Sequence, residues 1–342
     1  MTPDLLLPRS PFAQVVEQFR AGKMVVMVDD TDRENEGDLV VATQCLTPEH
    51  VAFMGREARG LTCVSISVEC ARRLELPLQV IENNSPFNTP FAVSVDHVSV
   101  LGNSVRGNGV TASGRCKTMR ALVDGSGRAL DFVRPGHVFP LIANPAGVVG
   151  RQGQTEGSYD LARIAGFIPS GVICEILNAD GSMARGQQLV QFAETHGLLI
   201  TSVADVLNYR VHHEVLVREV DRSEQLTRYG RCLRVNFADD VEQRQHMALI
   251  FGDPKDSSAQ VYIHSECVVG DVFESSVCAC SQKLEQALQE VSVVGAGVVL
   301  YLRRQARGST THPEPNKRVA RKILECLSVP SEKAIPSYEI PL

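Results

Sequence analysis

The sequence has no stretch approaching the roughly 18 apolar residues that a membrane-spanning helix requires. Its longest candidate, Val291–Leu302, is shorter and broken by glycines. The opening residues, MTPDLLLPRSP, lack the basic start and long apolar core of a secretory signal. Positive charge is not in excess either: 34 lysines and arginines against 40 aspartates and glutamates give a net charge of -6. That balance argues against nucleic acid as a general partner, although a local basic pocket for a phosphate is compatible with it. These absences predict a cytoplasmic protein with no membrane partner. Ten cysteines are present. Without a secretion signal they read as reduced thiols or metal ligands and not as a disulfide framework. Most, such as Cys45, Cys63 and Cys174, lie in apolar runs as small core residues. Cys267, Cys278 and Cys280 stand apart from that pattern.

At 342 residues the chain can form two domains, each burying its own core. The most unusual stretch is Asp29 to Asp38, DDTDRENEGD, in which seven of ten residues are charged. It lies between two runs that read as buried strands, Met24–Val28 and Leu39–Val41. Ionised groups placed where apolar strands end lose hydration unless something pairs with them. A solvated turn is one reading; a site for a metal ion or a phosphorylated ligand is the other, favoured by Arg33 among carboxylates and by Gly37. Ahead of it, Phe12, Val15, Val16 and Phe19 fall at helical spacing, with Gly22 placed as the stop. After it, Thr47 and Pro48 form a helix start that Gly60 is expected to close. The residues from Leu61 through SISV are expected to form a strand, and Phe91–Val95 another.

DRENEGD, Asp32 to Asp38, resembles the signature of the 3,4-dihydroxy-2-butanone 4-phosphate synthase family, whose members convert ribulose 5-phosphate into a four-carbon phosphate and formate. The resemblance continues through the ENN loop at Glu82–Asn84 with Thr89 and Phe91, RPGHVFPL at Arg134–Leu141, DLARIAG at Asp160–Gly166, GVICE at Gly171–Glu175 and GSMAR at Gly181–Arg185. The helices Gln187–His196 and Val203–Tyr209 complete it, so that it spans roughly residues 10 to 212. There are two departures. In NGVTASGR, Gly114 stands where the family has aspartate; in RQGQTE, Gln154 stands where the family has a histidine that helps to hold the metal. A glutamine carbonyl can replace an imidazole on magnesium, but an amide does not titrate near neutral pH as an imidazole does.

The resemblance implies Glu34 as a metal ligand for Mg²⁺ or Mn²⁺ and Glu34, His137 and Glu175 as catalytic. It implies Arg33, Asp38, Arg151, Gln154 and Thr155 as contacts to a small sugar phosphate, and a homodimer with active sites at its interface. His137, framed by Pro135 and Gly136, and Glu175, at the end of an apolar strand, also have ordinary structural readings when taken singly.

From His212 to Arg234 the sequence turns polar and offers few cues for a buried element, which places a domain boundary between 212 and 213. Residues 213–342 resemble GTP cyclohydrolase II through HMALIFGD at His246–Asp253, HSEC at His264–Cys267, GDVF at Gly270–Phe273 and YLR at Tyr301–Arg303. Cys267, Cys278 and Cys280 match that family's zinc ligands; three thiolates leave a fourth position open. Cys280 directly precedes an expected helix, Gln282–Val291. Several family positions differ: CACS replaces C-D-C-G, Tyr262 stands in place of an arginine, and RRQARGST at Arg303–Thr310 replaces R-Q-E-G-R-G-I-G. The later family segments do not follow before Leu342. The expectation is a degenerate second domain without cyclohydrolase activity, retaining a zinc of structural use.

The expected fold is α+β in two domains, the first a mixed sheet covered by helices and the second smaller. The expected function is a magnesium-dependent lyase acting on ribulose 5-phosphate, with an altered product as one variant of that reading. The alternative is a non-catalytic paralogue serving as a subunit or regulator.

Overall fold

The computed structural model describes residues 8–101, 108–214, 217–239, 244–303, 317–330 and 334–336. The chain divides into two compact units, Met1–His212 and His213–Leu342, each mixed α+β. The RRQARGST segment beyond Arg303 falls outside the described residues.

The first unit is built on seven strands: β1 Val25–Val28, β2 Gly37–Ala42, β3 Cys63–Ile66, β4 Val95–His97, β5 Phe132–Ile142, β6 Gly171–Glu175 and β7 Ile200–Ser202. They lie in the order β4-β5-β3-β6-β2-β1-β7. β1 pairs antiparallel with β2 and parallel with β7, and β3 pairs parallel with β5 and antiparallel with β6, so the sheet is mixed. Every residue of β1 and β2 is buried, because both faces are covered. Val26, Val28, Leu39 and Val41 belong to one apolar cluster, while Val25, Met27, Val40 and Ala42 belong to another on the opposite face. The period of two along a strand makes this division.

That division fixes where the site lies. Asp38 shares the parity of Val40, and Glu175 that of Ile173, so both carboxylates point to the face where Met27 and Leu161 pack. The helix Gln154–Ile164 covers this face through Leu161 and Ala162, and its first residue stands over the strand ends. The charged loop between β1 and β2 therefore opens on the same side as the start of that helix.

Local structure departs from expectation in several places. The helix that begins at Pro48, capped by Thr47, runs to Phe53 and continues as a π-helical turn, Met54–Ala58, that ends on left-handed Arg59 and not on Gly60. Gly60 is needed for close approach: a Cβ there would lie 2.3 Å from the Glu175 carbonyl oxygen and 2.8 Å from its nitrogen. SISV does not continue as a strand, because the Ser67 hydroxyl accepts from the Cys70 N–H at 3.0 Å and starts the helix Val68–Arg73. Phe91–Val95 contributes isolated bridges, Leu78 with Ala92 and Phe91 with Leu141, before β4 begins at Val95.

The second unit carries a sheet of β8 Val217–Thr227, β9 Gly230–Asp239, β10 Arg244–Phe251, β11 Gln260–Ser265, β12 Gly297–Leu302 and β13 Ala334–Pro336, in the order β13-β11-β12-β10-β9-β8. The polar stretch that gave few cues for a buried element forms the long β8–β9 hairpin. β8 is an edge strand with Val217 as its one buried residue, so it shows no apolar alternation to read. The helix Cys280–Val294 packs Ala287 and Val291 against Tyr262 and Val299, and the helix Lys317–Cys326 packs Ile323 and Leu324 against Val298 and Leu300.

Replacing Gly60 with alanine is expected to cost about 1–3 kcal/mol of unfolding free energy, because the methyl group must displace backbone at Glu175. Gly125→Ala, where nothing lies within 4 Å, is the control expected to be near neutral. Urea denaturation of both variants checks this.

Candidate functional site: a carboxylate pocket at the strand ends

The loop between β1 and β2 is wound round Asp29. Its fully buried carboxylate accepts from Arg33 Nη1 at 2.6 Å and from the backbone N–H groups of Glu34 at 3.2 Å and Glu36 at 2.9 Å. Asn35 takes a left-handed conformation, φ 52°, which asparagine tolerates better than most residues. Arg33 also reaches Glu34 with both guanidinium nitrogens, at 3.0 and 3.1 Å. From the GSMAR segment, Arg185 donates to the carbonyl of Asn35 at 2.8 Å and to that of Glu34 at 3.3 Å.

A cavity of about 300 Å³ lies between this loop, the sheet and the helix Gln154–Ile164. It gathers Arg33, Glu34, Asp38, Arg151, Gln154, Thr155 and Glu175 from the residues singled out above. It also holds Glu36 and Cys63, which the sequence reading did not single out as site residues. Asp38 and Glu175 are direct partners across β2 and β6, and Met27 faces Asp38 across β1 and β2. Glu175 is further held by the Leu61 N–H, which donates to Oε2 at 2.7 Å.

The electrostatics are those of crowded, poorly hydrated acids. Burial raises the Asp38 pKa well above the usual carboxylate range, and the charges of Glu175 and Glu36 raise it further. Glu36 is pushed up to about 8 by burial, by hydrogen bonding to Glu34 and by the surrounding charges. Glu175 is raised by burial, against the Leu61 N–H that opposes the shift. Two buried oxygens in the cavity, Asp38 Oδ1 and Gln154 Oε1, have no hydrogen-bond partner.

Two arginines, Arg33 and Arg151, also line the cavity. Arg151 Nη1 is held at 2.7 Å by the buried carboxylate of Glu156, and its Nη2 donates to the Phe87 carbonyl at 3.2 Å. The Phe87 ring lies 5.0 Å from the Arg33 guanidinium. Phe87 thus braces both arginines, on a loop knitted by Asn83, which accepts from Ser85 and donates to the Thr89 carbonyl at 2.9 Å. Thr155 lies in the first turn of a helix whose N-cap, Gly153, supplies no side-chain acceptor, so the first-turn N–H groups are suited to an anion.

His137 is not among the residues lining this cavity. It sits on β5, half-exposed, with Nδ1 at 2.6 Å from Asp96 Oδ2 and its backbone N–H on Asp96 Oδ1 at 3.1 Å. At Gly114 a Cβ would lie 2.0 Å from the Asn108 carbonyl oxygen, so this backbone accommodates no carboxylate side chain there.

The donor set suits a small hard cation: carboxylates and an unpartnered amide oxygen, with no imidazole lining the cavity. Among the described residues no three carboxylates converge within 4.8 Å.

In the second unit Cys267, Cys278 and Cys280 do converge, with all three sulfur atoms within 4.8 Å and Cys267 and Cys278 3.9 Å apart. Burial raises the Cys280 thiol pKa, as do hydrogen bonds with the other two cysteines. Three thiols at that spacing suit a soft tetrahedral cation. Asp271 supports the cluster, accepting from the Cys267 N–H at 2.8 Å and the Tyr301 hydroxyl at 2.7 Å, and lying 2.9 Å from His264 Nε2. Tyr262, expected as an arginine, is a buried core residue whose hydroxyl is bonded to Glu290 and to Gln260.

The architecture thus pairs a mixed-sheet unit bearing an acid-and-arginine pocket with a second unit bearing a thiol cluster. Residues 13–209 match the 3,4-dihydroxy-2-butanone 4-phosphate synthase family and residues 217–318 match GTP cyclohydrolase II. Riboflavin biosynthesis protein RibBA of Cytophaga hutchinsonii is 43% identical over 297 residues, 86% of this chain and 72% of that protein. RibBA of Aquifex aeolicus is 42% identical over 290 residues, 84% and 71% of the two chains. The crystal structure of RibBX from A. baumannii, described as a two-domain 3,4-dihydroxy-2-butanone 4-phosphate synthase, is similar with a TM-score of 0.75 at 34% identity, covering 97% of this chain and 94% of that one. A synthase solved in complex with two magnesium ions matches with a TM-score of 0.56 at 35% identity, over 60% of this chain and 98% of its own. The chain belongs to the 3,4-dihydroxy-2-butanone 4-phosphate synthase family, with a GTP cyclohydrolase II-type second part.

Because the folded pKa of Glu36 is raised from 4.5 to about 8, its neutral form favours the folded state. Its contribution to stability is full below about pH 4.5 and is lost as pH rises through about 8. Thermal melting of the metal-free protein should therefore fall between pH 5 and 8, and Glu36→Gln should flatten that fall, as a pH series by calorimetry would measure.

Proposed function

We propose that the first unit is a magnesium-dependent lyase acting on ribulose 5-phosphate, releasing formate and a four-carbon phosphate. The observation that carries this reading is one cavity that gathers carboxylates and two unpartnered oxygens together with Arg33, Arg151 and a helix N-terminus. A pentulose phosphate offers groups for both, a dianionic phosphate and adjacent oxygens beside a ketone.

Arg33, Arg151 and the Thr155 turn bind the phosphate, with Glu156 and Phe87 fixing the Arg151 guanidinium. Glu34, Glu36 and Gln154 would hold the cation, which when bound supplies Lewis-acid stabilisation of charge developing next to the ketone. Glu175, raised by burial, is a stronger base than an exposed glutamate and is held by the Leu61 N–H, so it is the group to take a proton from carbon. Asp38 stands beside it, its neutral form favoured, to exchange a proton with a sugar hydroxyl. His137, oriented by Asp96 and exposed, acts in a homodimer, where a second copy of the chain brings it to the cavity.

In the second unit the three cysteines hold a zinc ion that stabilises this fold, and no GTP is hydrolysed there. This is supported by Tyr262, whose hydroxyl is committed within the core, and by the apolar Ala279 between two of the cysteines. Cys278→Ser should reduce the zinc content of purified protein, by elemental analysis, to well below one ion per chain.

Carbon NMR of the protein with uniformly labelled ribulose 5-phosphate and Mg²⁺ tests the main reading. The expected result is labelled formate together with the four-carbon phosphate. In Glu34→Ala the rate should fall by at least about a hundredfold, or some 2.7 kcal/mol of transition-state stabilisation. Consumption without formate would mean an altered product, and no consumption would favour a non-catalytic subunit.

A further inference from the structure

Arg185 is exposed, and the ordinary reading of an exposed arginine is solvated surface charge. Its donors are nevertheless committed to one place. Nε donates to the Asn35 carbonyl at 2.8 Å and Nη2 to the Glu34 carbonyl at 3.3 Å, so one planar guanidinium grips two consecutive carbonyls of the loop between β1 and β2. Asp29 holds the same turn through the N–H groups of Glu34 and Glu36. The backbone that carries Glu34 is therefore fixed twice, its N–H groups by a carboxylate and its carbonyls by a guanidinium. Asn35, left-handed at φ 52°, lies within this double hold, and such a conformation persists where the surroundings fix it.

The guanidinium is itself firmly mounted. After Glu175 the chain turns back on itself: the Asn178 N–H donates to the Ser182 carbonyl at 2.8 Å, Leu177 bridges Met183, and the Ala184 N–H donates to the Ile176 carbonyl at 3.0 Å. Asp180 closes the turn by accepting from the Ser182 N–H and hydroxyl. The Ile176 N–H donates to the Gly37 carbonyl at 2.9 Å, where the loop enters β2. The Arg185 N–H is held by Gln188 Oε1 at 3.0 Å, at the start of the helix Gln187–His196. Arg185 thus stands on a hairpin that continues directly from Glu175 and β6. It does not line the carboxylate cavity; it lines a second one of about 450 Å³, beside Asn35 and Glu36.

We propose that Arg185 is a positioning residue for the cation site: it clasps the loop through the two carbonyls and fixes where the Glu34 carboxylate stands, without touching cation or substrate. Its effect on cation affinity rests on the metal-dependent reading above, whereas the clasp on the loop does not. Removing an outer partner of this kind typically costs about 10–100-fold in metal affinity. A planar fork can meet both carbonyls at once, while an ammonium group at the same place keeps the charge and loses that geometry.

The test uses the whole chain as wild type, Arg185→Ala and Arg185→Lys. Hydrogen exchange of the metal-free proteins, measured by mass spectrometry, reads the clasp. A peptide covering residues 29–37 should exchange at least about tenfold faster in Arg185→Ala, with a peptide covering residues 171–175 unchanged. Titration calorimetry with Mg²⁺ reads the consequence: the dissociation constant should rise about tenfold or more in Arg185→Ala, and Arg185→Lys should lie closer to the alanine variant than to the wild type. Millimolar guanidinium chloride should return part of the Mg²⁺ affinity to Arg185→Ala, which a merely misfolded variant would not show. Equal loop exchange in wild type and Arg185→Ala would overturn the proposal. Wild-type affinity in Arg185→Lys would do so too, since charge alone would then suffice, as would faster exchange throughout the first unit, since the arginine would then hold the fold and not the loop. Faster loop exchange with an unchanged Mg²⁺ dissociation constant would mean that the clasp does not serve Glu34, and would also overturn it. A wild type that binds no Mg²⁺ would remove the metal-dependent reading and with it the role at a cation site, leaving the exchange data to decide the clasp.

Discussion

The first unit depends on one electrostatic constraint: carboxylates from two neighbouring strands, β2 and β6, and from the loop before β2 line one cavity. The mixed sheet creates the arrangement, because antiparallel pairing sets Asp38 at the start of β2 directly opposite Glu175 at the end of β6. The loop adds Glu34 and Glu36 by wrapping its backbone around Asp29. Such a group of acids is unfavourable in isolation. Within the protein burial raises the pKa of Asp38, Glu36 and Glu175, which favours their neutral forms, and Arg33 offsets part of the remaining charge. A bound cation would relieve it more fully, and stability and ligand binding are then linked through the same few side chains.

Much of this was legible from residue order. DRENEGD, with strands on either side, marked the site, and the strand GVICE carried Glu175 to its end as expected. The substitution at Gln154 drew notice because it broke a motif, and the structure adds how the amide is held, with Nε2 donating to the Met27 carbonyl at 2.9 Å. Other features depend on contacts between distant residues and leave no local signature. Asp29 reads as one more acid in a run, and only the folded loop makes it the centre of three hydrogen bonds. Glu36 and Cys63 enter the cavity because of strand order, and Glu156 matters because it is buried beneath Arg151.

The misread elements have physical causes too. Gly60 looks like a helix stop, but Arg59 takes the left-handed position and the glycine is required by the approach of Glu175. SISV alternates as a strand should, and its first two residues do end β3, but Ser67 caps the helix that begins at Val68 and stops the strand there. β8 is an exposed edge, so the periodicity that reveals buried strands is missing from it.

The most direct test is the melting temperature of the metal-free protein at pH 8 as Mg²⁺ is added, for the wild type and for Glu34→Ala. A ligand that binds the folded state at a hundred times its dissociation constant adds about 2.7 kcal/mol of stability. The account predicts a saturable rise in the wild type and little or none in the variant. Equal rises in the two proteins, or no rise in the wild type, would contradict it.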